Sequence, residues 1–202
     1  MGPRTPRERA RAHRGTRLAT MAAMTTTTPT TTTTPAWTVT PEPFDSADAA
    51  ALWREYYTEV SDRWYLLHEG RRTDPAELER EIAARPGAEL APPVGRLLVG
   101  RYGGALGGCA GVRLLDAGTA ELTRVFVRPG LRGTGGAPLL VGAAEDAARA
   151  LGAGRIVLDT RSDLVEARAL YARLGYTETG RHNDDPYAEH WFTKRLDGSR
   201  LR

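Results

Sequence analysis

Cysteine is nearly absent from this 202-residue chain; Cys109 is the only one. An internal disulfide and a cysteine-rich zinc site are therefore excluded. So little cysteine fits a reducing, cytoplasmic compartment. No run of eighteen apolar residues occurs, so no membrane-spanning helix is predicted. Histidine is sparse too: His13, His68, His182 and His190 show no metal-ligand spacing, and no metal site is predicted. Lysine is reduced to Lys194, with arginine supplying the other basic side chains. That bias, with abundant alanine and glycine, reads as a GC-rich coding sequence.

The net charge of +3 is unevenly spread. Residues 1–35 carry six arginines against Glu8, a surplus of five. The remaining 22 basic and 24 acidic residues leave the rest of the chain at −2. The folded part is not basic, which argues against nucleic acid as a partner. Residues 1–35 run from arginine-rich sequence into Thr25–Thr28 and Thr31–Thr34, broken by Pro29 and ended by Pro35. A segment with so little to bury is expected to be disordered. It lacks the apolar stretch of a secretory signal. Three readings stay open: a true tail, a start that mimics an arginine-rich transit peptide, or an over-extended start with Met21 or Met24 as initiator. A folded domain is expected over 36–197, followed by a short tail at 198–202.

Hydrophobic period and punctuation order the elements. Ala36–Thr40 alternates as a strand. Asp45 or Ser46 can cap a helix to about His68, with Leu52, Trp53, Tyr56, Val60, Trp64 and Leu67 as its apolar stripe. Asp74-Pro75-Ala76-Glu77 starts a second helix, with aspartate as cap and proline in the first turn. Val94–Tyr102 and Ala105–Leu115 read as a hairpin around Gly103-Gly104. Glu121–Val127 is a strand, Gly135–Leu151 a helix, and Arg155–Thr160 a short apolar strand. Asp163 can cap a helix ending at Leu174-Gly175. Tyr176–Gly180 and Ala188–Leu196 close the chain as strands. The order β-α-α-β-β-β-α-β-α-β-β implies an α/β (α+β) fold with a mixed, mostly antiparallel sheet between helices.

The richest stretch is 121–137, a β-branched strand running through a glycine turn into a helix. Bare N–H groups at a helix start can hold an anion. Two nucleotide patterns fail there. Counting from Gly133, the dinucleotide fingerprint would need glycine where Pro138 stands, and the P-loop would need lysine after Gly135. Arg132-x-x-Gly135-x-Ala137, preceded by Val127-Arg128-Pro129 and followed by Leu139-Leu140, resembles the coenzyme A signature of the GNAT N-acetyltransferase superfamily. Ala167-x-x-x-Tyr171-x-x-x-Gly175-Tyr176 resembles the same family's late helix-to-strand motif. The likeness covers roughly 36–196. The ending Asn183–Phe192 resembles bacterial GNAT proteins of unassigned substrate.

The resemblance implies a GNAT fold and direct transfer of an acetyl group from acetyl-CoA, without a metal, to an amine of a small molecule or peptide. Homodimers are common in the family. It implies that Phe126, Val127, Arg132, Gly133, Thr134, Gly135, Gly136 and Ala137 hold the coenzyme, Val127 through its backbone N–H. Arg132 can add charge-assisted bonds to phosphate. Many members carry asparagine where this chain has Leu164, so one contact to the coenzyme arm is missing.

Acyl transfer to an amine needs a base, a donor for the developing oxyanion and a proton for the leaving thiolate. Glu121 is the base candidate, at the offset from Val127 that the family uses; alternatively it pairs with Arg113 or Arg124. Tyr171 is the acid candidate; alternatively it belongs to the stripe Leu164, Ala167, Tyr171, Leu174 and is core. Cys109 reads as core filler. The acceptor is expected between the first two helices and the last hairpin, with Tyr57, Arg63, Asp184, Asp185, Tyr187 and His190 as candidates and Trp64 more readily core. A non-catalytic acyl-CoA sensor on the same fold is the competing reading.

Overall fold

Ser46 and Asp74 cap the first two helices as their side chains allow. Ser46 Oγ accepts from the Ala49 N–H at 3.1 Å and starts α1 (Ala47–His68). Asp74 accepts from the N–H groups of Ala76 and Glu77 and starts α2 (Pro75–Ala84). The structure, a computed structural model, describes residues 34–196; nearly all of the expected tail, and the last six residues, lie outside the described residues.

Seven strands form one sheet: β1 (Trp37–Glu42), β2 (Gly95–Tyr102), β3 (Ala105–Leu114), β4 (Thr119–Val127), β5 (Arg155–Thr160), β6 (Thr177–Thr179) and β7 (His190–Arg195). Their spatial order is β1-β2-β3-β4-β5-β7-β6. Every neighbouring pair is antiparallel except β4 and β5, which are joined by the crossover helix α3 (Gly136–Ala150). This is the mixed, mostly antiparallel architecture expected from the element order.

Strand alternation sorts the core onto two faces. Leu98, Ala110, Val112, Ala120 and Leu122 point to the face covered by α3, against Leu140, Val141, Ala144 and Ala148. Leu97, Val99, Cys109 and Phe126 point to the other face, against Ala49, Leu52, Trp53 and Tyr57 of α1. Burying each of these leucines stabilises the fold by roughly 1.5–3 kcal/mol.

Two details differ from the sequence reading. The last helix, α4 (Val165–Arg173), has Leu164 at its cap position and no side-chain cap. Asp163 instead accepts from Arg161 at 2.8 and 3.0 Å and faces Arg63, so ion pairing outcompetes capping there. The final strands are also shorter than expected, because 180–189 leave the sheet as a loop.

Candidate active site: a fork between two strands

The glycine turn between β4 and α3 leaves donors uncommitted. Gly135, at φ 90°, occupies the cap position of α3 with no side-chain partner. A left-handed conformation of this kind disfavours any residue with a Cβ. Among the described residues, the N–H groups of Gly133, Gly135, Gly136 and Ala137 have no hydrogen-bond partner. They sit at the positive end of α3, where an anion is favoured. A Cβ on Gly133 or Gly135 would point into open space, so their role is conformational.

Gly136 is different. A Cβ there would run into the indole of Trp37 on β1. Trp37 Nε1 donates to Thr134 Oγ1 at 2.9 Å, and that hydroxyl donates to the Leu131 carbonyl at 2.7 Å. Trp37 thus props the turn from behind. The sequence reading used it only as a strand residue. Thr134 faces this prop and does not line the cleft, whereas Phe126, Val127, Arg132, Gly133, Gly135, Gly136 and Ala137 do. Arg132 donates through Nε to the Val127 carbonyl at 3.0 Å and pairs with Glu59 of α1 at 2.5 Å.

A bulge in β4 shapes the middle of the site. Cys109 pairs with Phe126 but Gly111 pairs with Thr123, so Arg124 and Val125 together oppose Ala110. Arg124 takes the extra step at φ 52°, a region that non-glycine residues rarely enter. The slip inverts the alternation: Leu122 faces α3 with the even-numbered residues, and beyond the bulge Val127 takes that face. The buried Arg124 side chain fixes the distortion. It donates to Tyr57 Oη at 3.2 Å and the Arg85 carbonyl at 3.1 Å, pairs with Glu89 at 3.1 Å, and lies over the Trp53 ring.

β4 and β5 pair only over Thr119–Glu121 and Arg155–Val157. Beyond Glu121 the two strands part. Their fork opens into a cleft of about 1210 Å³ that reaches the glycine turn at one end and α2 at the other.

Glu121 stands at the crotch of the fork, 7% exposed. Arg113 on β3 donates to its Oε2 at 2.6 Å, so one of the alternative partners foreseen from sequence is present. Two residues the sequence reading passed over join it. Asp159, just beyond the fork on β5, and His182, in the loop after β6, place ligand atoms within 4.8 Å of each other and of Glu121. Asn183 donates to Asp159 Oδ1 at 2.6 Å and accepts from Trp191 at 2.9 Å. Burial, with Asp185 and Glu121 nearby, raises the Asp159 carboxyl above the usual aspartate range despite the Asn183 bond. Both ring nitrogens of His182 are buried without a hydrogen-bond partner.

Tyr171 belongs to the core, as one sequence reading expected, and its side chain also borders the cleft. It is 6% exposed, packs against Tyr176 and Phe192, and lines the cleft. Burial, then Tyr56 and Asp159, push its hydroxyl well above the ordinary tyrosine value, so it stays protonated. Tyr56 of α1 is raised in the same way and also lines the cleft.

The six acceptor candidates divide. Tyr57, Asp185 and Tyr187 line the cleft, although the Tyr57 hydroxyl is engaged by Arg124. Trp64 lines it too and meets Tyr187 edge-on. Arg63 lies outside, bound to Asp163 and Glu166. Asp184 is exposed and paired with Arg181 at 2.8 Å. His190 is held between Glu178 and Ser162 at 2.6 and 3.1 Å.

Known proteins resemble this chain in sequence and in fold. An uncharacterized N-acetyltransferase of Schizosaccharomyces pombe is 37% identical over 127 residues, covering 60% of this chain and 77% of that protein. An IAA acetyltransferase of Azospirillum brasilense is 35% identical over 92 residues, covering 45% of this chain; the match spans only 60% of that relative's length. The fold is shared with an N-acetyltransferase of Thermoplasma acidophilum solved in complex with coenzyme A. Its TM-score is 0.58 at 12% identity, over 79% of this chain and 99% of that one. The profile of the Acetyltransferase (GNAT) family matches residues 50–176, more than half of the sequence and all of the fork, and the chain belongs to that family.

Proposed function

We propose that this protein transfers the acetyl group of acetyl-CoA directly to a primary amine of a small molecule or peptide. The carrying observation is the fork: β4 and β5 separate beyond Glu121, leaving a passage with free backbone donors at one end and a carboxylate at the other.

Acetyl-CoA supplies an activated acyl carbon on a thiol leaving group. The N–H groups of Gly133, Gly135, Gly136 and Ala137 hold the pyrophosphate, with the α3 dipole behind them. Arg132 exchanges Glu59 for a phosphate oxygen. Phe126 and Val127 wall the pantetheine passage, and the Val127 N–H donates to the acyl carbonyl. Glu121 accepts the amine proton, directly or through a water, with Arg113 fixing its orientation. Tyr171, kept protonated by burial, donates a hydrogen bond toward the sulfur. Cys109 takes no part: it is fully buried, burial pushes its thiol up to about 12, and a thiol held neutral is a poor nucleophile.

The test is coenzyme titration beside a thiol-release assay with acetyl-CoA and a panel of amines. Saturable coenzyme binding with amine-dependent thiol release supports the proposal. Tight binding without turnover on any amine would identify a sensor, and absence of binding would remove both readings.

A further inference from the structure

We propose that Asp159 and His182 complete, with Glu121, a three-acceptor cradle that selects an unhindered primary ammonium and takes its proton. This inference rests on the acetyl-transfer reading and assigns the acceptor end of the same cleft.

The cradle is built by three separate elements: β4 brings Glu121, β5 brings Asp159, and the loop after β6 brings His182. Their ligand atoms lie within 4.8 Å of one another. Some point inside such a triangle is within about 2.8 Å of all three corners, the length of an N–H···O or N–H···N hydrogen bond. Both imidazole nitrogens of His182 are without a partner among the described residues. Arg113 and Asn183 each take one oxygen of Glu121 and Asp159, which leaves each carboxylate a second oxygen to offer.

A primary ammonium carries three N–H donors, matching three converging acceptors. Two carboxylates favour a cation over a neutral ligand. A secondary ammonium has one donor fewer and an added carbon where the third acceptor waits, so one buried acceptor would go unpaired. The fork places this point beside the passage proposed for the thioester, so the amine's fourth bond direction is left for the acceptor's own carbon.

The charges balance within the cradle. One ammonium proton passes to His182 or Glu121, and the neutral amine, still held by the other two acceptors, turns its lone pair to the acyl carbon. As that bond forms and the C–S bond breaks, a second nitrogen proton leaves to another cradle acceptor, the leaving sulfur takes a proton from a hydroxyl or solvent, and the product amide keeps one N–H. The other titratable groups facing the cradle are Arg113 from β3, Asp185 from the loop, Tyr56 from α1 and Tyr171 from α4.

The experiment compares wild type with Asp159→Asn and His182→Gln, each first checked for unchanged coenzyme affinity. A good primary amine and its N-methyl analogue are the probes. In wild type the primary amine should have a kcat/KM at least about tenfold above its N-methyl analogue, the size of one lost charge-assisted bond. Asp159→Asn should raise KM for the amine about tenfold or more with coenzyme affinity unchanged. His182→Gln should lower kcat and move the acidic limb of kcat/KM to higher pH, because more of the amine must then lose its proton before it binds. If one variant fails to bind coenzyme, the other and the N-methyl comparison carry the test. Unchanged KM, kcat and pH profile in both variants, with wild type active, would overturn the cradle and leave acetyl transfer standing. Loss of wild-type activity to a chelator, restored by a divalent metal, would overturn it in favour of a metal site on the same three residues. A wild type that turns over no amine would defeat the parent reading, and this inference with it.

Discussion

Exchanging one carboxylate oxygen of Glu121 for an amide nitrogen removes its charge and changes its shape little. Arg113 donates to one of its oxygens, and the amide introduced by Glu121→Gln keeps an acceptor for that bond. The change should therefore preserve the fold and the coenzyme affinity while removing the base. A positioned general base contributes roughly 10²–10⁴-fold, so kcat is expected to fall by about 100-fold. Steady-state kinetics beside coenzyme titration checks this; a fall of less than about twofold would mean that water alone deprotonates the amine. Asp159 makes the opposite demand on stability. Its folded carboxyl is raised by burial, so the fold binds that proton more tightly than the unfolded chain does. Ionisation then lowers stability as pH rises from the unfolded value of about 4 up to the folded value. Asp159→Asn, which mimics the protonated form, should leave Tm at pH 7 unchanged or higher even as it damages catalysis. A clearly lower Tm would show that the carboxylate is there for the fold.

At the scale of elements, the turn and the bulge do the positioning. Trp37 reaches from β1 to Thr134 and packs where Gly136 has no side chain. Trp37→Phe keeps most of the apolar contact but loses the indole donor. It should weaken coenzyme binding several-fold, in line with the roughly 0.5–1.5 kcal/mol of one hydrogen bond, and leave the amine KM alone. Isothermal titration with coenzyme A measures the first and kinetics the second; equal coenzyme affinity would show that the turn holds its shape without the prop. The caps at Ser46 and Asp74 were legible in the sequence because capping is local chemistry. So was the glycine turn, whose spacing separates it from the dinucleotide and P-loop patterns. The β4 bulge carries no such mark in its own residues. Bulges of this kind usually advertise themselves with glycine, and here an arginine holds the left-handed conformation, fixed by partners far away in sequence on α1 and in the segment that follows α2.

For the whole molecule, the element order told most of the architecture, while the proposed acceptor end stayed hidden. Glu121 could be found by its offset along one strand. Asp159 and His182 could not, because 121, 159 and 182 meet only after β5 has crossed over beside β4 and the last loop has folded back. Asp159 lies in a stretch whose apolar run reads as core, and His182 in one whose charges read as surface. The same folding removed Arg63, Asp184 and His190 from the cleft, since each found an ion-pair or hydrogen-bond partner outside it. What the assembled molecule offers is one continuous cleft from the glycine turn past the fork, where the proposed donor and acceptor would meet, with the lone thiol buried outside it. That arrangement calls for a ternary complex. The most direct test varies acetyl-CoA at several fixed concentrations of a working primary amine and follows thiol release. Double-reciprocal lines that intersect are the predicted result. Parallel lines, the mark of an acyl-enzyme, or thiol release indifferent to the amine, would contradict direct transfer.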